Sequence, residues 1–523
     1  MRDRRVTPRA RAACSARHAS PRARHVRHAH RNATTDDDVA RGARNDVTSM
    51  PQRVVIIGGG AAGTAAAWAL TQRDVDVDVE ILECAPALGG VATTERIRDV
   101  SLDESAASSC VINDGVQGGA TSYANTLALM RACDVAQPHW VNVKVSFGKG
   151  ANNWKNTCES DLIASLAKDV KKFKRTLRWI SRFEVIYAFI SVERALRMHG
   201  HSKEFRDRVV YATTALFFGT GNQTKNVSSV LLARVFNDDR LRLYEYDDER
   251  FMSSAPKMFA FPEFGTMYGN IGDAIVKRGG RVTVSARVTA VERGRRGARV
   301  TFIDASGAKR VRECDKVIFA CNTEQSEAML NAGSGTSFME RKIFRNIKYY
   351  DDVSVTHRDE AYMRRHYDVA EDGSDMYFIK TYDDDASKVE MSFDLTAYQP
   401  FAKGASGERV YQSIFLNAAD DAAKWTKDDI DPGAVALTKW WRQFGHTVRH
   451  FTRAVPFWRF VQNKRHTLYA GSYTLVNTHE IAVLSGFAAA HRCGAPYPFP
   501  DDDLAAHQFD TYLAINHGVK RRR

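Results

Sequence analysis

No stretch of this sequence is long and apolar enough to read as a membrane-spanning helix. A helix that crosses a bilayer needs roughly 18 or more consecutive apolar residues, and the apolar runs among the 523 residues are all shorter. The sequence therefore predicts no transmembrane helix, although contact with a membrane surface stays open.

The cysteines lack the spacing of a disulfide framework or a zinc site, because no two of them form a C-x-x-C pair. The eight are Cys14, Cys84, Cys110, Cys133, Cys158, Cys314, Cys321 and Cys493. We expect reduced, mostly buried thiols. His446 and His450 lie one helical turn apart, but no third ligand accompanies them. We therefore predict no metal site.

The body of the chain has little net charge. The whole chain carries +13, of which residues 1–50 contribute +7 through twelve arginines and five aspartates. Lys520-Arg521-Arg522-Arg523 adds +4, which leaves +2 for residues 51–519. Nucleic-acid-binding domains present a basic face or a recognisable module. We expect no nucleic-acid partner, and a solvated end at the C-terminal cluster.

Residues 1–50 have the composition of a targeting segment. Arginine, alanine and histidine dominate up to Arg31, and Asp3 is the single acid in that stretch. Transit peptides are rich in arginine and poor in acids. We predict an organelle location and favour the chloroplast over the mitochondrion, with a disordered basic arm on a cytoplasmic protein as the alternative. Folded structure is expected to begin near Gln52.

The strongest positive signal is a buried strand followed by a glycine turn and a helix start. Val54–Ile57 reads as the strand, and Gly58-Gly59-Gly60-Ala61-Ala62-Gly63 follows it. Gly58 permits the tight turn, Gly60 lets the backbone approach a pyrophosphate, and Gly63 lets the helix pack close to the sheet. The pattern predicts a dinucleotide site.

An acidic residue at the expected distance supports that prediction. Glu83 ends the apolar segment Val79–Glu83, twenty residues beyond Gly63. A carboxylate there is placed to accept hydrogen bonds from an adenosine ribose. The helix that starts at Ala61 and Ala62 would supply N–H groups and a positive dipole end to the phosphates.

Three further segments resemble the superfamily of flavin-dependent amine oxidases and carotenoid desaturases. They are Gly89-Gly90-Val91, the strand around Val288, and Gly471-Ser472 with the helix-forming Ser485–Ala490. The resemblance implies that the glycine pair runs beside the pyrophosphate and flavin, that the backbone at Val288 meets the adenine, and that Gly471-Ser472 closes the flavin site. Val91 replaces a frequent arginine, and Ser472 replaces a frequent acid.

The cofactor that the resemblance implies is FAD, bound without a covalent link. The chain also resembles, within this superfamily, predicted FAD-binding oxidoreductases that are distantly related to a polyenoic fatty acid isomerase. Those proteins carry a pair similar to His479-Glu480 before the closing helix. His479 and Glu480 are therefore the candidates near the chemistry, and a helix cap is the alternative role.

The fold implied is α/β, with a Rossmann-like, glutathione-reductase-like FAD-binding domain split in sequence and an interleaved α+β substrate domain. The expected division is a transit-like segment at 1–50, FAD-binding parts at 51–135, 261–335 and 461–493, a mainly helical cap at 136–260, a substrate domain at 336–460 and a C-terminal tail at 494–523.

Two segments outside the cofactor motifs bear on the substrate. Apolar residues recur at helical spacing from Asp161 to His199 among many lysines and arginines. Such a helix suits either peripheral membrane contact or an ordinary solvated surface. The aromatic cluster Trp440-Trp441-Arg442-Gln443-Phe444 suits either a substrate tunnel or a core.

The function implied is an FAD-dependent oxidoreductase that moves a hydride between a substrate carbon and flavin N5. Organelle targeting and the aromatic segments favour a small lipophilic substrate, a lipid or an isoprenoid, that is oxidised, desaturated or isomerised. An amine oxidase acting on a small amine is one alternative. A protein that binds FAD without turnover is the alternative from another class.

Overall fold

The computed structural model describes residues 50–98, 109–116, 118–218, 221–238, 245–252, 257–402 and 407–521. Residues Pro51–Arg523 form one compact unit. Nearly all of the predicted targeting segment lies outside the described residues, and its role stays a prediction. In the described part, no helix has the length and apolar character needed to cross a membrane.

The strands of the described residues are, in chain order, β1 (Gln52–Ile57), β2 (Val77–Leu82), β3 (Thr93–Arg98), β4 (Ser109–Asp114), β5 (Gly119–Ala120), β6 (His139–Asn142), β7 (Val145–Phe147), β8 (Trp154–Lys155), β9 (Tyr246–Asp247), β10 (Phe251–Met252), β11 (Lys257–Ala260), β12 (Arg281–Thr283), β13 (Arg287–Arg293), β14 (Ala298–Ile303), β15 (Lys309–Cys314), β16 (Lys316–Phe319), β17 (Tyr349–His357), β18 (Tyr377–Thr381), β19 (Val389–Asp394), β20 (Tyr411–Phe415), β21 (Val435–Phe444) and β22 (Thr467–Tyr469).

The α-helices of the same residues are α1 (Ala61–Leu70), α2 (Ala124–Ala132), α3 (Asp161–Ser165), α4 (Ala167–Arg182), α5 (Glu184–Tyr187), α6 (Val192–Met198), α7 (Ala212–Phe218), α8 (Val230–Asn237), α9 (Phe264–Lys277), α10 (Thr323–Asn331), α11 (Phe338–Phe344), α12 (Glu360–His366), α13 (Leu395–Tyr398), α14 (Ala418–Asp421), α15 (Val448–Arg453), α16 (His479–Arg492) and α17 (Asp503–His517).

A five-stranded parallel sheet forms the centre of the nucleotide-binding half. Its order is β12-β2-β1-β16-β22, so strands from widely separated parts of the chain lie side by side. Strands β1, β2 and β16 are largely apolar and buried, as expected of strands covered on both faces. The prediction of an α/β, Rossmann-like domain split in sequence is confirmed.

Helices α1 and α16 pack against each other at unusually short range. Helix α1 is built mainly from alanine and is almost entirely buried. A Cβ on Gly486 of α16 would lie 2.2 Å from the carbonyl oxygen of Ala62. Because only glycine leaves room for that approach, residue 486 determines how closely the two helices meet.

A seven-stranded sheet forms the second half, in the order β21-β17-β20-β19-β18-β7-β8. Residues Val389, Met391 and Phe393 of β19 face a large apolar core shared with helices α3, α4 and α6 to α8. This sheet and its helices are the further domain that the fold class predicted. The domain boundaries given above stay predictions.

The basic helix between Asp161 and His199 is broken into α3, α4, α5 and α6. Its predicted apolar face packs against the protein itself, since Val170, Phe173, Leu177 and Ile180 are all buried. That face is therefore not free to meet a membrane. The lysines and arginines of α4 point largely to solvent, as the alternative interpretation required.

The segment treated as a C-terminal tail contains the helix α17. Phe509 and Leu513 on this helix are completely buried in the core of the nucleotide-binding half. On the same helix, the side-chain oxygen of Gln508 and the backbone oxygen of Ala505 both accept from Asn125 Nδ2 of α2. Residues 503–517 are thus part of the folded body.

A buried ion pair joins β13 to α11, which packs in the same core as strands of the five-stranded sheet. Both Nη atoms of Arg293, at the end of β13, donate to the carboxylate of Glu340 on α11, at 2.5 and 3.1 Å. The hydroxyl of Tyr469 on β22 donates to the same carboxylate at 2.6 Å, as does the N–H of Ser337. Burial by itself raises the pKa of Glu340, but these donors outweigh it and lower the pKa to about 2.

We predict that Glu340→Gln lowers the free energy of unfolding by about 3 kcal/mol at pH 7, because Arg293 loses its buried counter-charge. The folded pKa of Glu340 lies below its ordinary 4.5, so its contribution is present above that value and is lost as pH falls toward 2. Urea unfolding at pH 7 and at pH 4 should therefore show a smaller difference between wild type and variant at pH 4. Glu159→Gln, at an exposed position, serves as control, and an equal difference at both pH values would contradict the assignment.

Candidate functional site

The predicted glycine segments meet at the carboxyl edge of the five-stranded sheet. Ile57 is in register with Leu82 on one side and with Phe319 on the other, and Phe319 is in register with Tyr469. The residues that follow these four strand ends therefore emerge together. They are Gly58 after β1, Glu83 after β2, Ala320 after β16 and Ala470-Gly471 after β22.

The three motif positions require glycine for different structural reasons. Gly58 has a φ of +107°, and a Cβ there would lie 2.5 Å from the Ala320 carbonyl oxygen. A Cβ on Gly63 would lie 1.9 Å from the Gly58 carbonyl oxygen. At Gly60, by contrast, the nearest atom to an added Cβ is the Gly90 Cα at 3.6 Å, an ordinary contact. The protein itself thus requires Gly58 and Gly63, while the space beside Gly60 remains open to a ligand.

The open side of Gly60 is also the N-terminus of α1. Thr64 N donates to the Gly60 carbonyl oxygen at 3.0 Å, which is the first bond of the helix. The N–H groups of Ala61, Ala62 and Gly63 precede that bond and have no partner inside the helix. A phosphate beside Gly60 would meet these groups and the positive end of the helix dipole. This arrangement fits a dinucleotide.

Glu83 lies beside the glycine turn. Its Oε2 accepts from Gly59 N at 2.5 Å, and its Oε1 accepts from Ala85 N at 2.7 Å. A carboxylate has about four lone-pair directions, so Glu83 keeps capacity for ribose hydroxyls while its orientation is held by the backbone. Its role as the ribose acid remains a prediction.

The second glycine segment packs directly onto the first. Gly89 N donates to the Gly59 carbonyl oxygen at 3.0 Å, and Gly60 and Gly89 form an isolated parallel bridge. Gly90 has a φ of +65°, and a Cβ there would lie 3.0 Å from the Gly60 Cα. Val91 is exposed, so its side chain does not pack in the core.

The strand that contains Val288 starts beside Glu83. Ala286 N donates to the Glu83 carbonyl oxygen at 2.7 Å, and Ser285 N donates to that of Ala85 at 2.9 Å. Val288 is half-buried and pairs with Phe302 on β14, next to an irregularity in the ladder. The backbone of β13 thus begins on the ribose side of the site, where the adenine contact is predicted.

The closing segment is held by hydrogen bonds on both sides. Gly471 has a φ of +151°, and its N–H donates to Ser485 Oγ of α16 at 2.7 Å. Ser472 Oγ donates to Asn477 Oδ1 at 3.2 Å. Gly471 and Ser472 are half-buried. Their positions at the strand-end edge are compatible with the cofactor contact predicted for them.

The two buried histidines that lack a third ligand brace this same segment. Asn477 N donates to His446 Nε2 at 2.8 Å, and His450 Nε2 contacts the Leu475 carbonyl oxygen at 3.1 Å. Burial lowers the pKa of His446 to about 3 and that of His450 to about 4. Both rings are therefore neutral at physiological pH.

Glu480 binds the N-terminus of the neighbouring helix α2. Its Oε1 accepts from Asn125 N at 2.8 Å and from Asn125 Nδ2 at 2.9 Å, and its Oε2 accepts from Thr126 N at 2.8 Å. Thr478, not Glu480, caps α16. Burial raises the pKa of Glu480, against the opposing effect of these hydrogen bonds. The carboxylate thus docks α2 against α16.

His479 is likewise engaged on both ring nitrogens. Nδ1 lies 3.2 Å from Thr126 Oγ1, and Nε2 lies 2.7 Å from the hydroxyl of Tyr268 on α9. Burial lowers the pKa of His479 to about 4, so the ring is neutral. These contacts join α2, α9 and α16. The geometry gives His479 and Glu480 positioning roles, and a catalytic role for either residue stays untested.

One face of β21 packs on β3 and β4, the strands that follow the second glycine segment, and the sequence analysis did not identify this face. Lys439 Nζ donates to Thr93 Oγ1 at 3.0 Å, pairs with Glu95 and lies 3.3 Å from Asp114 Oδ2. Trp441 packs against Gly115, whose added Cβ would lie 2.8 Å from the indole. The alternation of a strand turns Lys439, Trp441 and Gln443 to this side and Trp440 to solvent. The strand alternation, applied to the aromatic cluster in the sequence, could have predicted that these three side chains share one face.

Asp114 is the most deeply buried acid of this group. Gln412 Nε2 on β20 donates to its Oδ1 at 2.5 Å. Burial raises its pKa, although Lys439 and Gln412 act in the opposite direction. Gln443 Oε1 accepts from Asn477 Nδ2 at 3.1 Å, so β21 reaches from β3 and β4 to the closing segment.

Comparison with protein-family models gives one match, to an NAD(P)-binding Rossmann-like domain over residues 56–130. Those residues hold the first glycine turn, Glu83 and the second glycine segment. No curated protein sequence matches the chain.

Solved structures match over most of the chain at low identity. A CLA-producing fatty acid isomerase from P. acnes has a TM-score of 0.59 and 12% identity, covering 84% of this chain and 97% of its own. Cyclohexylamine oxidase from Brevibacterium oxydans IH-35A has a TM-score of 0.56 and 15% identity, covering 85% and 98%. A putrescine oxidase mutant has a TM-score of 0.56 and 14% identity, covering 85% and 99%. This likeness establishes a shared fold.

We predict that Gly60→Ala weakens dinucleotide binding without disturbing the fold. The added Cβ makes only ordinary contacts within the protein but occupies the space where a pyrophosphate would approach. The free energy of unfolding should stay within about 1 kcal/mol of wild type, while the affinity for FAD, measured by fluorescence titration, falls at least about ten-fold. Gly58→Ala is the matched control and should destabilise the fold itself. Unchanged affinity in Gly60→Ala would refute the assignment.

We also predict that Glu480→Ala lowers the free energy of unfolding by about 3 kcal/mol, because it leaves the buried N–H groups of α2 without acceptors. Glu480→Gln retains one acceptor and should lose about half as much. Urea unfolding measures both, with Glu371→Ala at an exposed position as control. Equal stability of Glu480→Ala and wild type would show that the contact with α2 is unimportant.

Proposed function

We propose that this chain, which has the fold of the FAD-dependent amine oxidase-like superfamily, is an FAD-dependent oxidoreductase. The observation that carries the proposal is the meeting of the two glycine segments, Glu83 and Gly471-Ser472 at one sheet edge, with the backbone beside Gly60 left open. The structural neighbours include oxidases that act on amines and a fatty acid isomerase, and their fold supports a flavin cofactor.

FAD, when bound, would accept or return a hydride at its flavin ring. The chain contributes binding and orientation. The first turn of α1 neutralises phosphate charge, and Glu83 orients the ribose. The β21 face with Lys439 and Trp441 packs on β3 and β4, the strands that follow the second glycine segment.

We propose further that the substrate is an apolar lipid or isoprenoid. The carboxylates of Glu95 on β3 and Asp114 on β4 are both paired with Lys439. A substrate ammonium would therefore have to compete with that lysine for them. An uncharged hydrocarbon would meet no such competition from Lys439.

A small amine is the second candidate, because two of the compared structures are oxidases named for cyclohexylamine and putrescine. One fold therefore serves both kinds of chemistry, and the shared fold does not discriminate between them. Localisation in an organelle, chloroplast rather than mitochondrion, remains part of the proposal, on the composition of residues 1–50.

We expect the purified full chain to be yellow and to release FAD on denaturation. Mixing it without oxygen with a polyunsaturated fatty acid or a carotenoid should bleach the flavin absorbance or, for an isomerase, yield a double-bond isomer in the extracted products. Cyclohexylamine and putrescine should do neither. Bleaching by the amines alone would favour the second candidate. Bound FAD with no reaction would favour binding without turnover, and the absence of FAD uptake would refute the proposal.

A further inference from the structure

The helices α4, α5 and α6 expose large apolar side chains that do not pack in the core. They lie at the end of α4, along α5 and at the end of α6: Trp179, Phe183, Val185, Ile186, Phe189 and Met198. Val185 is 79% exposed, Phe189 64% and Ile186 60%. Side chains of this kind, grouped along one short stretch of chain, mark an interaction surface. We call these six residues the apolar tip.

The apolar tip is a built part of the fold and not a frayed end. Glu184 receives two hydrogen bonds of 2.8 Å from Arg234 on α8. The Tyr187 hydroxyl lies 2.7 Å from His199 Nε2, and Ser229 Oγ donates to the Tyr187 carbonyl oxygen at 3.0 Å. A small separate core of Ile180, Tyr187, Ala195 and Ala233 lies beneath. The exposed side chains are therefore held outward by a fixed backbone.

A basic stripe leads along α4 to the apolar tip. Lys171, Arg175, Arg178 and Arg182 follow one another at helical spacing and are exposed. Residues 167–198 carry nine lysines and arginines and three acids, a net charge of +6, whereas residues 51–519 as a whole carry +2. The rest of the body is accordingly slightly acidic. The apolar and basic groups also meet, since the Arg182 guanidinium lies over the Phe183 ring, 5.9 Å from its centroid.

We propose that the apolar tip and the basic stripe bind the surface of an anionic lipid bilayer. Apolar side chains flanked by lysine and arginine suit the boundary between acyl chains and anionic headgroups. A second copy of the chain is a poorer occupant, because a symmetric dimer would bring two surfaces of the same positive charge together. The proposal does not rest on the proposed function, since it concerns a surface outside the cofactor site.

Flotation of the full chain with vesicles tests the proposal. The chain should float with vesicles of three parts phosphatidylcholine to one part phosphatidylglycerol. The triple variant Val185→Ser, Ile186→Ser and Phe189→Ser should lower the partition coefficient at least about ten-fold. The matched control is Val276→Ser, Val311→Ser and Phe338→Ser, which removes exposed apolar side chains elsewhere and should bind like wild type. Circular dichroism and FAD content should be the same in all three proteins.

The basic termini are present in every protein of this set, so any binding that they cause survives in the tip variant. Equal flotation of the tip and control variants would therefore overturn the proposal, as would absence of wild-type flotation. Arg175→Gln with Arg178→Gln should weaken binding to the anionic vesicles and reduce its salt dependence. Light scattering provides a further test. If the wild type is a dimer, the tip variant is a monomer and neither binds vesicles, the surface belongs to a contact with a second copy and the proposal is overturned.

Discussion

The close approach of backbone to backbone around α1 is the constraint on which the rest of the structure depends. Gly63 lets the helix approach the Gly58 carbonyl, and Gly486 lets α16 approach Ala62 from the other side. Alanines fill the remaining surface of α1. With both neighbours so near, the helix cannot shift along its axis without steric overlap. The open position at Gly60 is thus held in place by contacts that have no direct part in binding.

The cofactor half could be predicted from the sequence because local chemistry determines it. A strand, a glycine turn and a helix need particular residues at particular positions, and the turn at Gly58–Gly63 forms where those residues occur. The strand end at Glu83 follows from the same reasoning. The resemblance at Gly89-Gly90 and Gly471-Ser472 supplied the distant pieces that local patterns cannot join.

The half built on the seven-stranded sheet could not be predicted to the same depth. Lys439 meets Glu95 and Asp114 across more than 300 positions of sequence, and no local pattern specifies such a pair. The spacing of apolar residues around α4 predicts a helix, yet periodicity does not say whether the apolar face of that helix contacts protein or membrane. Val170 and Phe173 turned out to be core, whereas Val185 and Phe189, which no pattern had singled out, are exposed. Hydrogen-bonding roles such as that of Glu480 toward α2 depend equally on tertiary packing.

The strand order of the nucleotide sheet has a consequence for biosynthesis. Its last strand, β22, ends at Tyr469 and pairs with β16, which pairs with β1 at the opposite end of the chain. Because β22 is synthesised more than 400 residues after β1, the earlier strands form an incomplete sheet with an unpaired edge until β22 joins. Nascent chains of this protein should therefore depend on chaperones until late in translation, and the cofactor is expected to enter only afterwards.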